Sequence, residues 1–102
     1  MRVIWLPQAK RQLRQTASYI HREFGQKVRS EFMQDVRHAN MLLSKNPNMG
    51  SVEPLLADRS IMYRSYVVNR LNKIVYFVKE DHIEVADFWD VRREPKKLSE
   101  RV

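Results

Sequence analysis

The chain has 102 residues, a formal net charge of +7 and no cysteine. This length supports one small hydrophobic core, so we treat residues 1–102 as a single domain. The lack of cysteine excludes disulfides, thiolate catalysis and cysteine zinc sites. No apolar run approaches the roughly 20 residues that cross a bilayer, and the stretch before Pro7 is too short for a signal peptide. We expect a cytoplasmic protein, without a membrane partner, whose charge suits an anionic partner.

The first half of the chain predicts one strand and two helices. Residues 2–6 form a strand, and Pro7 suits the first turn of a helix, where its missing N–H costs nothing. Apolar residues recur at helical spacing as far as Phe24, and Gly25 ends this helix. A second amphipathic helix ends before Asn46, because a residue ahead of a proline resists the α region. The short link folds the two helices into an antiparallel hairpin.

The second half predicts a loop followed by three strands. The loop contains two prolines and one glycine, at residues 46–60. Three apolar runs joined by short polar turns then read as antiparallel strands, at residues 61–68, 73–79 and 82–89. The order β-α-α-β-β-β predicts an α+β fold, with the helix hairpin packed on one face of an antiparallel-rich sheet of three to five strands. The other face and the tail are expected to be free for a partner.

The apolar positions of the helices and strands predict the core. Residues 73–78 are expected to form the central strand, covered by six side chains of the helix hairpin, Leu13, Ile20, Phe24, Phe32, Val36 and Leu43. Met33 and Met41 fall outside the apolar stripe. They suit contact with a partner, because thioether side chains adapt to another surface.

Two segments of the second half carry a family resemblance. Residues 63–68, YRSYVV, lead to KIVY at residues 73–76, and residues 85–95 read VADFWDVRREP. The last segment is similar to the W-D-x-R-x-x-P ending of many ParE-like proteins. Over essentially its whole length, the chain resembles the RelE/ParE superfamily of toxins from bacterial type II toxin–antitoxin systems, with a ParE-like, plasmid-stabilisation character.

The resemblance implies a cognate antitoxin as partner and one of two targets. RelE-like members are ribosome-dependent mRNA endonucleases, whereas ParE-like members are linked to inhibition of DNA gyrase. Neither activity implies a cofactor or a metal ion. The target is therefore gyrase or the ribosome with its mRNA.

Basic residues near the last three strands are the candidate site. Cleaving RNA without a metal requires clustered cations and a proton-transfer group, and the candidate cations for this role are Arg64, Lys73 and Arg92. The wider set of candidate target-binding residues is Arg64, Arg70, Lys73, Trp89, Arg92, Arg93, Lys96 and Lys97. We expect the cations to converge at the open face of the sheet. The alternative is a solvated basic surface paired with Asp87, Asp90 and Glu94.

The proton-transfer group is the weak point of the nuclease hypothesis. Leu98 falls roughly where RelE places a tyrosine, and His82 opens the last strand, where a solvated histidine is expected. His21 and His38 share no metal-ligand spacing. We therefore favour a ParE-like toxin that inhibits gyrase, with the mRNA endonuclease as the alternative.

A third hypothesis is a non-toxic nucleic-acid-binding module. Aromatic side chains on strands can stack on bases where cations are nearby, and the candidates are Tyr63, Tyr66, Tyr76 and Trp89. Packing in the core and across strands is the favoured interpretation of the same residues.

Overall fold

We describe residues 1–91, 98 and 100–102 of a computed structural model of the chain. Two helices and five strands follow one another within residues 1–91. They are β1 Arg2–Trp5, α1 Pro7–Phe24, α2 Gln26–Lys45, β2 Ser51–Val52, β3 Arg64–Val67, β4 Asn72–Val78 and β5 His82–Asp90, with a 3-10 turn at Pro54–Leu56 between β2 and β3. The predicted α+β class is confirmed. Neither described helix is long and apolar enough to span a bilayer.

A single residue links the two helices. Gly25 has φ 90°, a conformation that glycine adopts without steric cost, and its N–H donates to the carbonyl of His21 at 2.9 Å. At the other end of α2, the N–H of Asn46 donates to the carbonyl of Leu42. The predicted helix hairpin is therefore confirmed, and so are the predicted C-terminal ends of its two helices.

The five strands form one sheet in the order β1-β5-β4-β3-β2. β4 is the central strand, as predicted. The pairs β2–β3, β3–β4 and β4–β5 are antiparallel, whereas β1 runs parallel to β5 with Arg2 opposite His82. α1 packs on β5 and α2 on β1.

The stretch before β4 differs from its prediction. β3 begins at Arg64 rather than at residue 61, and the expected loop contains β2, whose Ser51 and Val52 pair with Ser65 and Arg64. Ile61, predicted to lie in a strand, is exposed. A strand of only two residues, such as β2, forms by pairing with the backbone of a distant strand, so hydrophobic periodicity does not reveal it.

A β-bulge in β5 changes which side chains face the helices. Val75 lies opposite Asp87 and the next residue of β4, Tyr76, lies opposite Val85, so β5 holds one extra residue, Ala86. An extra residue reverses the alternation of faces beyond it. Val85 and Phe88 thus both enter the core beneath the helices, whereas Trp89 enters a second cluster.

The first core lies between the sheet and the hairpin. Strand residues such as Ile74, Tyr76 and Ile83 are buried there against the helices. Of the six predicted helix residues, Phe32, Val36 and Leu43 are buried, and Leu13 and Ile20 pack against the cluster while partly exposed.

Two predictions about the helices are wrong. Phe24 is 61% exposed, because it ends α1 beside the one-residue link. Its ring packs edge-on against Tyr19 at 6.3 Å instead of entering the core. Met33 was expected to lie off the apolar face, but it packs against the core. Met41 is exposed, as expected.

A second core covers the opposite face of the sheet. Val75 and Trp89 are buried there together with Leu56 of the 3-10 turn and Leu98 near the C-terminus. The prediction that this face is free for a partner is therefore wrong. The bulge provides the reason, because it directs Trp89 to this face, where a large apolar ring requires cover.

The loop before β2 is fastened to β4 through Tyr76. The buried hydroxyl of Tyr76 donates to the carbonyl of Pro47 at 2.8 Å and accepts from the N–H of Gly50 at 3.0 Å. Burial raises the pKa of this hydroxyl. A Cβ at residue 50 would lie 2.7 Å from both the carbonyl oxygen of Ser65 and the Tyr76 hydroxyl. This close approach explains the glycine.

Replacing Gly50 with alanine is expected to destabilise the fold. The added methyl group must displace backbone or the Tyr76 hydroxyl, and overpacking of this kind costs about 1–3 kcal/mol. Urea unfolding at neutral pH measures the change, and Ser51→Ala, at the exposed neighbouring residue, is the matched control. An unchanged unfolding midpoint in Gly50→Ala would contradict the close approach.

Candidate functional site

Arg64 and Lys73, two of the proposed nuclease cations, lie on opposite faces of the sheet. Arg64 pairs with Tyr76, whose side chain lies in the core beneath the helices. Lys73 precedes Tyr76 by three residues on the same strand, so its side chain points to the other face. The structure does not bring these two cations together.

Arg64 is engaged with the loop that precedes β2. Its Nη1 donates to the carbonyl of Gly50 at 2.8 Å and to that of Asn48 at 3.4 Å. These bonds satisfy two backbone carbonyls and hold the loop against the sheet. The contacts give Arg64 a structural role.

Lys73 forms an ion pair with a carboxylate that the sequence did not single out. Its Nζ lies 2.8 Å from Oε2 of Glu53, and the two side chains are 14% and 2% exposed respectively. Burial opposes ionisation of Glu53, but hydrogen bonds from Lys73 and Ser65 outweigh it and lower the pKa of the carboxyl. The pair ties the segment before the 3-10 turn to the central strand.

Arg70 lies in the turn between β3 and β4 with its side chain exposed. Its φ is 76°. No other non-glycine residue in the described part of the chain has a positive φ. The turn is held by Oδ1 of Asn69, which accepts from the N–H groups of Leu71 and Asn72 at 3.3 and 3.2 Å. The chain thus holds an arginine in a conformation that costs energy.

The remaining predicted site residues are buried or lie outside the described part of the chain. Trp89 is buried, and the guanidinium of Arg101 lies 4.5 Å from the centre of its ring. Four tail cations, Arg92, Arg93, Lys96 and Lys97, lie outside the described residues. Of the predicted target-binding cations that the structure describes, Arg70 is the exposed one.

The aromatic residues of the nucleic-acid hypothesis are used in packing. Tyr76 and Trp89 are buried. Tyr63 packs edge-on against Phe77 at 5.4 Å, and Tyr66 packs against the first core. This arrangement agrees with core and cross-strand packing rather than with a stacking platform for bases.

Asp87 anchors the C-terminal segment, an interaction that the sequence did not predict. Its fully buried carboxylate accepts from Nε of Arg101 at 3.0 Å and from Nη2 of the same residue, and from the N–H of Phe88 at 2.8 Å. The sequence feature that could have revealed this interaction is an acid inside an apolar stretch of β5, because a buried charge requires a partner.

Leu98, at the position compared with the tyrosine of RelE, is fully buried in the second core. Residues 98, 100 and 101 are helical, and the N–H of Val102 donates to the carbonyl of Leu98. This residue therefore has a packing role. No group of three or more histidine, aspartate or glutamate side chains suited to a metal ion occurs within residues 1–91, 98 and 100–102.

His82 was expected to be solvated, but it is held in a charged cluster. Its Nδ1 lies 2.6 Å from Oδ1 of Asp81 and its Nε2 lies 3.2 Å from Oε2 of Glu84. Lys79 completes the cluster, with Nζ 3.0 Å from the same oxygen of Glu84. The hydrogen bond to Asp81 is the main cause of a raised pKa for His82, and Glu84 adds to it.

Replacing His82 with glutamine is expected to destabilise the protein more at acid than at alkaline pH. A pKa raised by folding gives stability that is present below the unfolded value of about 6.5 and lost as pH rises through the folded value. The effect is small because the group is near the surface. Thermal melting of both proteins at pH 5.5 and pH 9 measures it. A difference in melting temperature that does not depend on pH would contradict the pairing.

Two grooves border opposite flanks of α1. The first, which we call the tip groove, has a volume of about 420 Å³ and lies between α1 from Gln12 to Phe24, the β3–β4 turn and the end of β5. Its lining includes Gln12, Gln15, Tyr19, Phe24 and Leu71. Tyr19 and Leu71 are 49% and 42% exposed.

The second, which we call the edge groove, has a volume of about 540 Å³ and lies between β1 and the helices. Its lining includes Val3, Ile4, Leu13 and Met33. It borders β1, an edge strand of the sheet, so backbone groups on the outer side of β1 have no strand partner in the described residues. Sequence reasoning found neither groove, because each combines residues distant in the chain.

Comparisons with known proteins agree with this fold. A chain of the chromosomal ParDE toxin–antitoxin system from P. aeruginosa superposes with a TM-score of 0.73 at 18% identity, over 90% of this chain and 97% of that one. The YoeB dimer from Staphylococcus aureus gives 0.56 at 19% identity, over 85% of this chain and 92% of that one. No curated protein matches the sequence.

The family model described as the ParE toxin of the type II toxin–antitoxin system, parDE, matches residues 3–95. The fold is thus that of RelE/ParE superfamily toxins, as the resemblance implied. The chain belongs to the ParE toxin family, and it is the toxin component of a type II toxin–antitoxin system with an antitoxin as its partner.

Proposed function

We propose that this toxin arrests growth in the cytoplasm by inhibiting DNA gyrase through surface contacts. The observation that supports this most is the placement of Arg64 and Lys73 on opposite faces, each engaged with protein groups. RNA cleavage depends on a few groups positioned around one phosphate. Inhibition by docking requires only contacts spread over an area.

The histidine considered for proton transfer is also used structurally. His82 is held between Asp81 and Glu84 at a hairpin end. Leu98 offers no proton-transfer group. These contacts favour the docking mechanism over a RelE-like mRNA endonuclease.

Two assays on the purified chain test the proposal. We expect inhibition of supercoiling by purified gyrase, and no new cuts in mRNA translated by a reconstituted ribosome system. Toxin unfolded by heat is the control for nonspecific effects of a basic protein. Codon-positioned cuts in mRNA with supercoiling unaffected would overturn the proposal in favour of the endonuclease.

The tail cations remain proposed target contacts. Charge reversal at Arg92 and Arg93 tests them, because it changes the charge without removing other residues. Truncation after Asp90 is a poorer test. It also removes Leu98 and Arg101, which pack on the second core, so lost arrest could reflect unfolding.

We also propose that the antitoxin occupies the edge groove. An acidic, amphipathic segment that folds on binding would extend the sheet at β1 and place apolar side chains between Ile4 and Met33. Arg2, Lys10 and Arg37 also line this groove and supply the complementary charge.

Replacing Ile4 with aspartate is expected to weaken antitoxin binding about tenfold or more, because the new carboxylate removes an apolar contact and repels an acidic segment. Co-purification with the protein encoded next to the toxin measures it. Val67→Asp, at an exposed residue of β3, is the matched control. Equal loss in both variants, or none in Ile4→Asp, would count against this site.

A further inference from the structure

We propose that Asn40 and Arg37 of α2 form a carboxylate-binding subsite in the edge groove, and that one acidic side chain of the antitoxin segment occupies it. This inference deepens the proposed function and rests on it for the choice of this groove as the antitoxin site. It adds Asn40, which the sequence did not mark, as a residue that selects the chemistry of the bound segment.

The first argument is the hydrogen bond that orients Asn40. Nε1 of Trp5 donates to Oδ1 of Asn40 at 2.8 Å. An indole nitrogen can donate but not accept, so this bond fixes which end of the Asn40 amide faces Trp5. The Nδ2 group, which carries two N–H donors, is therefore the end that remains for another partner.

The second argument is that these two donors are unused and accessible. Within residues 1–91, 98 and 100–102, the side chain of Asn40 makes no hydrogen bond other than the one from Trp5. In the same residues, the buried side-chain nitrogen without a partner is Nε2 of Gln8, so Nδ2 of Asn40 is not sealed from solvent. Asn40 lines the edge groove, and a ligand in the groove can reach its amide.

The third argument is the charge of the groove. Its charged lining residues are Arg2, Lys10 and Arg37, all of them cations. Arg2 is partly committed, because it adds to the lowering of the pKa of Asp81 that a hydrogen bond with His82 mainly causes. Neither Lys10 nor Arg37 forms an ion pair in the described part of the chain. Cations left in this state favour an acidic ligand.

The fourth argument is that the subsite offers donors alone. Arg37 and Asn40 are three residues apart on α2, which places their side chains on the same side of the helix. A guanidinium has no acceptor, and the acceptor of Asn40 is taken by Trp5. A carboxylate suits this arrangement, because its two oxygens accept from both groups and its charge strengthens both bonds.

The rest of the groove favours a protein segment over a nucleic acid or a second copy of the toxin. Leu13 and Met33 give it an apolar lining, and the outer edge of β1 can pair with an added strand. Trp5 is the aromatic residue of the described lining, and its ring packs against Phe88 at 5.9 Å, so successive bases have no row of rings on which to stack. A second copy carries a net charge of +7 and is repelled by the same cations.

The test replaces Asn40 with aspartate, which has the same shape and keeps an oxygen that accepts from Trp5. The variant puts an anion in place of the two donors, so we expect it to bind the protein encoded next to the toxin about tenfold or more weakly in calorimetry. Asn48→Asp, the same change at an exposed residue outside this groove, is the matched control and should bind like the unchanged chain. Unchanged affinity in a folded Asn40→Asp variant would overturn the inference.

Arg37→Gln is a second variant that keeps the test decisive if Asn40→Asp does not fold. Arg37 is exposed, so its loss should leave the melting temperature nearly unchanged. We expect weaker binding of the same protein and a smaller dependence of its affinity on salt concentration. Affinity and salt dependence equal to those of the unchanged chain would contradict the carboxylate.

Substitutions in the antitoxin identify the side chain that occupies the subsite. Each aspartate or glutamate of the toxin-binding segment is changed to its amide in turn. One such change should weaken binding to the unchanged toxin and improve binding to Asn40→Asp, because the amide and the carboxylate then exchange places. If no change improves binding to Asn40→Asp, a carboxylate does not occupy the subsite.

The outcomes distinguish this inference from the proposed function. Weaker binding in Ile4→Asp, with full affinity in Asn40→Asp and Arg37→Gln, would keep the antitoxin in the edge groove and overturn the subsite. Full affinity in all three variants would overturn both. These affinities do not involve gyrase, so a failure to inhibit supercoiling affects the proposed target alone. If Asn40→Asp weakened binding of the toxin to naked DNA or RNA but not to the antitoxin, the subsite would belong to a phosphate and the inference would be wrong.

Discussion

Replacing Lys73 with methionine is expected to lower the free energy of unfolding at pH 7 by about 3–5 kcal/mol, because it leaves the buried carboxylate of Glu53 without its cation. Glu53 is 2% exposed, so water cannot replace the ammonium group. Urea unfolding followed by circular dichroism measures the loss. At the upper end of this range, the loss approaches the whole free energy of unfolding of a small domain.

The pH dependence of the same variant gives a second measurement. Folding lowers the pKa of Glu53. A lowered pKa contributes stability that is present above the unfolded value of about 4.3 and lost as pH falls through the folded value. Since Lys73 causes much of this shift, the unchanged protein should lose the contribution on acidification and Lys73→Met should not. The gap between them should narrow below about pH 4. A constant gap would contradict the ion pair.

The double variant Lys73→Met with Glu53→Met separates stability from chemistry. Replacing both members of a buried ion pair by apolar side chains is often close to neutral, so most of the stability should return. Growth arrest should return with it if Lys73 has a structural role. A stable double variant without arrest would identify Lys73 as a functional cation and favour the endonuclease.

Replacing Arg101 with alanine is expected to cost about 3 kcal/mol, because the fully buried carboxylate of Asp87 loses its partner. The stacking of the guanidinium on Trp89 is lost as well. Denaturant unfolding gives the stability, and a red shift of tryptophan fluorescence reports exposure of Trp89.

Glu100→Ala, at the exposed residue beside Arg101, is the matched control for that experiment. Replacing the buried carboxylate by an amide, with Asp87→Asn in the Arg101→Ala background, should recover part of the stability, because an amide costs less to bury than a carboxylate. Stability unaffected by Arg101→Ala would mean that the C-terminal segment does not hold Asp87. A tail truncation that removes Arg101 also removes this stability, so growth arrest can be lost through unfolding rather than through a lost target contact.

The secondary structure of the first half was readable from the sequence. Pro7, Gly25 and Pro47 mark helix ends through backbone geometry that each imposes on itself or, for Pro47, on the residue before it. The periodicity of Phe32, Val36 and Leu43 reports burial directly. Phe24 fits the same stripe but is exposed, because periodicity cannot tell where a helix extends beyond the layer that covers it.

The candidate site was predicted less well than the fold. The sequence marked Arg64 and Lys73 as neighbours on adjacent strands, but strand pairing and side-chain alternation put them on opposite faces. Their partners, Gly50 and Glu53, lie in a loop without periodicity. Trp89 was marked as a surface contact, and the bulge at Ala86 places it in the second core.

The sequence by itself determined the α+β class, the order of the elements other than β2, the helix hairpin, the central strand and the family resemblance, because these depend on local backbone preferences and on the period of apolar residues. Only the tertiary structure decided the parallel pairing of β1 with β5, the covered second face, the two buried ion pairs and the grooves flanking α1. Each of these depends on residues far apart in the chain. Whether two such residues meet is decided by strand register and by which face each side chain takes, and one extra residue in β5 was enough to reverse those faces.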